Sequence, residues 1–130
     1  MKKYWEPTSQ IGVGFRVSIW LTGCPIRCRG CFNSQLWDKN VGKLFNQDAM
    51  RKIIEELEKD WCEGVSVLGG EPLADWNLDA TREITRQAWK IGKNSWVWTG
   101  YLFEHLNSLQ LRALEFTDIL IDRPIHRRTC

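Results

Sequence analysis

Gly64-Val65-Ser66-Val67-Leu68-Gly69-Gly70-Glu71-Pro72 decides the fold. Gly64–Leu68 is a short run of small and β-branched residues, the pattern of a buried strand. Two glycines, an acid and a proline then end it. Upstream, Met50, Ile53, Ile54, Leu57 and Trp61 recur at the spacing of one helix face, predicting a helix over Gln47–Trp61. Asn46 is placed to cap it, and Asp48 lies in the first turn, where the helix dipole favours an acid. Downstream, Leu78, Thr81, Ile84, Ala88 and Ile91 predict a second helix over Leu78–Ile91, with Gly92 in position to terminate it. A buried strand held between two amphipathic helices is the unit of a parallel sheet.

The alternation continues outward. Phe15–Leu21 is a β-rich run that stops at Thr22-Gly23, and Ser95-Trp96-Val97-Trp98 is another that breaks at Thr99-Gly100. Helical pieces follow at Tyr101–Leu106 and Ser108–Leu114, the latter with Leu111 and Leu114 on one side. Asp118-Ile119-Leu120-Ile121-Asp122 is a last strand, closed by Pro124. Four or five such units are too few to close an eight-stranded barrel. The expected fold is therefore α/β, an open partial barrel of parallel strands whose site gathers at their carboxyl ends. The 130 residues contain no repeat, linker or low-complexity stretch, so 1–130 is read as one domain.

Composition narrows the function class. Lys+Arg 18 against Asp+Glu 16 leaves a net charge of +2, too balanced to argue for a nucleic-acid or membrane partner. No apolar run reaches the roughly 18 residues of a membrane helix. Met1-Lys2-Lys3-Tyr4-Trp5-Glu6-Pro7 leads into no apolar segment of a secretory signal, so a cytoplasmic setting is expected. Five cysteines in such a setting point to metal ligation rather than to a disulfide framework. The eight tryptophans are read mostly as core filling, with some covering a partner or cofactor.

Three cysteines are clustered. Cys24-Pro25-Ile26-Arg27-Cys28-Arg29-Gly30-Cys31 has the spacing C-x3-C-x2-C, directly after the first predicted strand. Neighbouring thiols at these separations lie within about 10–14 Å of chain, so all three can wrap one compact centre. Soft thiolates suit iron–sulfur clusters, zinc or Cu(I). A 4Fe-4S cluster usually takes four cysteines, so three leave one iron open to chelate a substrate. The competing reading is a structural zinc site with Cys62, His105, His126 or Cys130 as fourth ligand.

The three-cysteine loop after one strand and Gly69-Gly70-Glu71-Pro72 after the next resemble the signature of radical S-adenosylmethionine enzymes. Thr22-Gly23-Cys24-Pro25, Cys28-Arg29-Gly30-Cys31-Phe32-Asn33, Trp37-Asp38, Leu68–Leu73, Trp98-Thr99-Gly100-Tyr101 and Asp118–Asp122 follow one another with suitable gaps. From about Gly12 to Pro124 the chain resembles the activating proteins of anaerobic (class III) ribonucleotide reductases. The resemblance implies an oxidoreductase in which Cys24, Cys28 and Cys31 hold a 4Fe-4S cluster that binds and reductively cleaves S-adenosylmethionine. The resulting 5′-deoxyadenosyl radical would take a hydrogen from a glycine of the large reductase subunit.

It implies cofactor contacts as well. Gly69 and Gly70 would let the backbone approach the methionyl moiety, with Glu71 suited to its amino group. Thr99 would meet the carboxylate or ribose, a strand-ending threonine before a turn glycine being an equally good reading. Phe32 and Asn33 would lie beside the cluster or adenine; for Trp37 core packing is the safer reading, and Asp122 is as readily a turn residue. No catalytic side chain beyond the cofactor ligands is implied. Arg27 and Arg29 would suit an acidic electron donor of flavodoxin or ferredoxin type, solvation being the plainer reading of a loop arginine, and the basic tail Arg123–Cys130 could touch the reductase, disorder being the default for such an end.

This chain departs from the family pattern at Phe32-Asn33-Ser34, where His-Asn-Pro is common, and at Asp122-Arg123-Pro124, where Asp-Gly-Pro is usual. Two other readings share parts of the same evidence: an activase of another glycyl-radical enzyme of formate-lyase type, and a non-enzymatic zinc or iron–sulfur binding module.

Overall fold

The computed structural model describes residues 3–8, 16–23, 43–44 and 46–122, with residues 3–8 and 43–44 as backbone only. Along the chain run β1 (Lys3–Thr8), β2 (Arg16–Leu21), β3 (Lys43–Leu44), α1 (Gln47–Leu57), β4 (Gly64–Gly69), α2 (Leu78–Lys90), β5 (Asn94–Thr99), α3 (Ser108–Ala113) and β6 (Ile119–Asp122). Single 3-10 turns lie at Asp75–Asn77 and Phe103–His105. The strands form one sheet in the order β3-β1-β2-β4-β5-β6. Strands β2, β4, β5 and β6 are parallel, as the alternation predicts. The sheet is open, with β3 and β6 as its described edges.

Periodicity explains the helices and how they dock. The stripe of α1 buries Ala49, Ile53 and Leu57, and that of α2 buries Ala80, Thr81, Ile84, Thr85 and Ala88. Both cover one sheet face, where Ile19, Val67 and Val97 lie in register across three strands at 0% exposure. Burying each such side chain is worth about 1.5–3 kcal/mol, so this face is the main source of stability. The capping expectation holds, because Asn46 accepts a hydrogen bond from Ala49 N at 3.0 Å. Gly92 stops α2 at φ 77, a conformation that favours glycine.

Several local expectations need correction. The helix predicted to reach Trp61 ends at Leu57. Glu58, Lys59 and Asp60 offer no apolar side chain to bury. The backbone instead turns, with Lys59 N bonded to Glu56 O and Cys62 N to Lys59 O, which leaves Trp61 44% exposed. Of Tyr101–Leu106 only the turn Phe103–His105 is helical. In α3 the buried residues are Gln110 and Ala113, whereas Leu111 is 44% exposed. Gln110 is drawn inward because its Nε2 donates to Leu73 O at 3.0 Å and its Oε1 accepts from Asn107 N.

Two strands have no signature in the sequence. β1 pairs antiparallel with β2, and β3 pairs with β1 over two residues. Pro7 breaks the appearance of a strand because it lacks an N–H, and the ladder shifts register between Trp5 and Thr8 to accommodate it. Among the described residues no helix is long and apolar enough to cross a membrane.

Candidate functional site

The parallel register brings the carboxyl ends of the strands level: Leu21 pairs with Gly69, and Thr99 with Asp122. Past that line Gly70 N donates to Leu21 O at 2.8 Å and Glu71 N to Gly23 O at 2.9 Å. The Gly-Gly-Glu turn is thus laced along the residues that lead directly into Cys24.

Gly69 and Gly70 serve different ends. Gly69 has φ +120, and a Cβ there would stand 2.4 Å from Leu21 O and 2.7 Å from Leu21 N. Its missing side chain makes room for β2. Gly70 is half-buried beyond the strand, with its N–H committed to Leu21 O, which leaves its carbonyl as the group a ligand can use.

Glu71 is 1% exposed. Its Oε2 accepts from Thr99 Oγ1 at 2.5 Å and from Leu73 N at 2.9 Å, and its Oε1 accepts from Gly100 N at 2.8 Å. Burial raises its pKa from 4.5 to about 6, against the lowering effect of these three donors. At pH 7 it is therefore mainly a carboxylate, and it ties the end of β4 to the end of β5. Thr99 is 5% exposed and is held in the same tie, its Oγ1 also accepting from Tyr101 N at 3.2 Å.

The raised pKa gives a testable pH dependence. Between 4.5 and about 6 the folded state holds the Glu71 proton that the unfolded chain has released. The contribution of this proton to stability is complete below 4.5 and is lost as pH rises through about 6, for a total of about 2 kcal/mol. Urea unfolding of apoprotein should accordingly show the stability gap between wild type and Glu71→Ala narrowing from pH 4 to pH 7. A gap that widened would contradict the burial of this carboxyl. Glu71→Gln is expected to cost about 2–3 kcal/mol at pH 7, because either placement of its amide turns an NH2 toward a backbone N–H.

Residues that carried no motif complete the seam. Asn77 is fully buried, and its Nδ2 donates to both Thr22 O and Glu71 O at 3.0 Å. Trp76 Nε1 adds a second donor to Thr22 O at 3.2 Å. The one sequence signal for Asn77 is its place before a helix, which reads as a cap. Asp122, the other strand-end acid, accepts from Phe103 N at 2.9 Å and so fixes the loop after β5.

Cys24, Cys28, Cys31, Phe32, Asn33, Trp37, both loop arginines and the tail lie outside the described residues. Cys62 is described. It is 2% exposed, with its Sγ donating to Gly64 O at 3.2 Å at the amino end of β4. A six-residue strand, about 20 Å, separates it from Gly23 at the carboxyl end. Among the described residues no three His, Cys, Asp or Glu gather to hold a metal ion. The C-x3-C-x2-C segment follows Gly23 directly in sequence, and Gly23 O is the acceptor of the Glu71 N–H.

Residues 11–129 match the family model of the 4Fe-4S single cluster domain. The chain is 34% identical over 113 residues to the anaerobic ribonucleoside-triphosphate reductase-activating protein of Enterobacteria phage T4, spanning 85% of this chain and 71% of that one. The protein of the same name from Escherichia coli K12 is 34% identical over 115 residues, spanning 85% and 75%. That of Haemophilus influenzae is 32% identical over 121 residues, spanning 89% and 78%. The fold is similar to that of QueE from Escherichia coli, with a TM-score of 0.59, 15% identity, and 94% of this chain and 71% of that one covered. These relatives displace the zinc-module reading, and the chain belongs to the anaerobic ribonucleoside-triphosphate reductase-activating proteins, with a 4Fe-4S single cluster domain.

Proposed function

We propose that this chain generates a glycyl radical on the large subunit of an anaerobic ribonucleotide reductase. The observation that supports the reading is the lacing of Gly70 and Glu71 to Leu21 and Gly23, the last being the residue before Cys24 in sequence. A ligand that is both chelated at an open iron and hydrogen-bonded by backbone needs this adjacency. The relatives' names supply the target.

In this reading Cys24, Cys28 and Cys31 supply three thiolates and leave one iron open. The cluster these thiolates would hold would supply the electron for reductive cleavage of S-adenosylmethionine to methionine and a 5′-deoxyadenosyl radical, the species that would take hydrogen from the target glycine. The chain's own part is to bind, orient and exclude water. The carbonyl of Gly70 is placed to accept from the methionyl amino group. Glu71 adds its negative charge through space, because its oxygens are engaged by Thr99, Gly100 and Leu73. Thr99 acts through Glu71, and Phe32 and Asn33 flank the cofactors. Arg27 and Arg29 present a cationic approach to a flavodoxin or ferredoxin-type donor in the cytoplasm.

The test is anaerobic. The reconstituted, reduced protein should release 5′-deoxyadenosine from S-adenosylmethionine, and should raise a glycyl-radical EPR doublet when a cognate class III reductase is added. Stoichiometric zinc without an iron chromophore would sink the reading. Cleavage without the doublet would remove the reductase as target and keep the chemistry.

A further inference from the structure

Asn77 precedes α2 at the position where an asparagine ordinarily turns its Oδ1 back to the first N–H groups of the helix. Here it makes no side-chain capping bond. Its Oδ1 is buried with no hydrogen-bond partner, although the residue is 0% exposed. Forgoing a cap and burying an unpaired oxygen both work against stability. A residue that breaks two local rules at once points to another demand on that position. The opposite end of the side chain shows what the demand is. Nδ2 bridges Thr22 O and Glu71 O, each at 3.0 Å, with one proton to each. Thr22 lies two residues before Cys24, and Glu71 follows the glycine pair.

We propose that Asn77 is a positioning residue whose single amide sets the distance between the stem of the cysteine loop and the Gly69–Glu71 turn, so that one amino-acid ligand meets both. This deepens the function proposed above and rests on it. A planar amide with its two N–H groups at a fixed angle is suited to hold two carbonyls at constant spacing. Trp76 Nε1, which shares the Thr22 carbonyl, steadies the same stem from a second direction. The side chain does not reach the ligand. It acts through the backbone of Thr22 and Glu71.

Asn77→Ser is the informative variant, because serine caps a helix and fits the space yet cannot bridge two carbonyls. Asn77→Asp caps equally well and sets a carboxylate against them. Thr85→Val serves as a control for stability, since the Thr85 hydroxyl bonds only to Thr81 O and Arg82 O within α2. In apoprotein, hydrogen exchange at the Gly70 and Glu71 amides is expected to quicken about tenfold in Asn77→Ser and to stay unchanged in Thr85→Val. In reconstituted protein, Asn77→Ser should raise KM for S-adenosylmethionine about tenfold while retaining the iron content of the wild type. The change that S-adenosylmethionine makes to the reduced-cluster EPR spectrum should shrink in parallel.

Should both Asn77 variants fail to fold, Trp76→Phe reads the same seam through the other donor, with a smaller rise in KM expected. Wild-type KM and exchange in Asn77→Ser, or in Trp76→Phe where that variant stands in, overturns the inference alone. An equal rise in Thr85→Val also overturns it, by making the effect one of stability. A wild type whose spectrum ignores S-adenosylmethionine overturns the proposed function and this inference with it.

Discussion

Replacing Cys24, Cys28 or Cys31 by alanine is expected to abolish both cluster retention and cleavage of S-adenosylmethionine, whereas Cys62→Ala leaves both intact. Three thiolates are the minimum that leaves a single iron open. Losing any one opens a second iron and removes an anionic ligand that no described residue can replace. The cysteine and the histidine among the described residues are unsuited. Cys62 is buried at the amino end of β4, with its Sγ engaged by Gly64 O, and His105 is exposed on the turn after β5. Cys62→Ala removes a small buried group and should cost about 1–2 kcal/mol of stability without touching the site. Iron and sulfide analysis after anaerobic reconstitution, followed by the 5′-deoxyadenosine assay, separates the two classes. Full activity in any of the three loop variants would contradict the ligand set, and loss of iron in Cys62→Ala would place the fourth thiol near the cluster.

The parallel half of the sheet was legible because its strands are short apolar runs and its helices carry an apolar stripe at 3.6-residue spacing. Val65, Val67, Ile53 and Ile84 announce burial by residue type alone, and all four are 0% exposed. Strand β1 was not legible, because a strand containing Pro7 exists only through its partner and its shifted register. Trp61 misled for a related reason. It falls in phase with the helix, but Glu58 to Asp60 between it and Leu57 offer nothing to bury, so phase without continuity predicted a longer helix.

The site shows the same division. Gly69-Gly70-Glu71 stood out as a motif, yet the sequence could not say that the two glycines answer different constraints. The first answers to Leu21 and the second to its place beyond the strand. Glu71 looked like an acid offered to a ligand. Its oxygens instead accept from Thr99, Gly100 and Leu73, three residues that come close only after β4 and β5 are paired. Asn77 was hidden for the opposite reason. An asparagine just before a helix carries no motif, so nothing in the string set it apart.

Gly69→Ala is expected to destabilise the protein by about 3–5 kcal/mol, a large fraction of what a domain of this size has to spare. Two terms add. An alanine at φ +120 lies in a region that favours glycine, at a cost of about 1–3 kcal/mol. Its Cβ would also stand 2.4 Å from Leu21 O, 2.7 Å from Leu21 N and 2.9 Å from Trp20 C. All three atoms belong to the backbone of β2, which is held by pairing on both sides, so no flexible side chain can yield. Relief requires β2 and β4 to part where Leu21 meets Gly69, and that would release Gly70 N from Leu21 O and Glu71 N from Gly23 O. The stability loss and the loss of S-adenosylmethionine binding should therefore appear together in Gly69→Ala. Gly70→Ala should separate them, because its φ is not positive: a smaller change in the urea midpoint, with a larger share of its effect on KM. Denaturation of both apoproteins with an unchanged m-value, set beside KM of the reconstituted forms, makes the comparison. A Gly69→Ala protein as stable as wild type would mean that the turn does not pass against β2, and the adjacency of the glycine turn to the cysteine loop would lose its support.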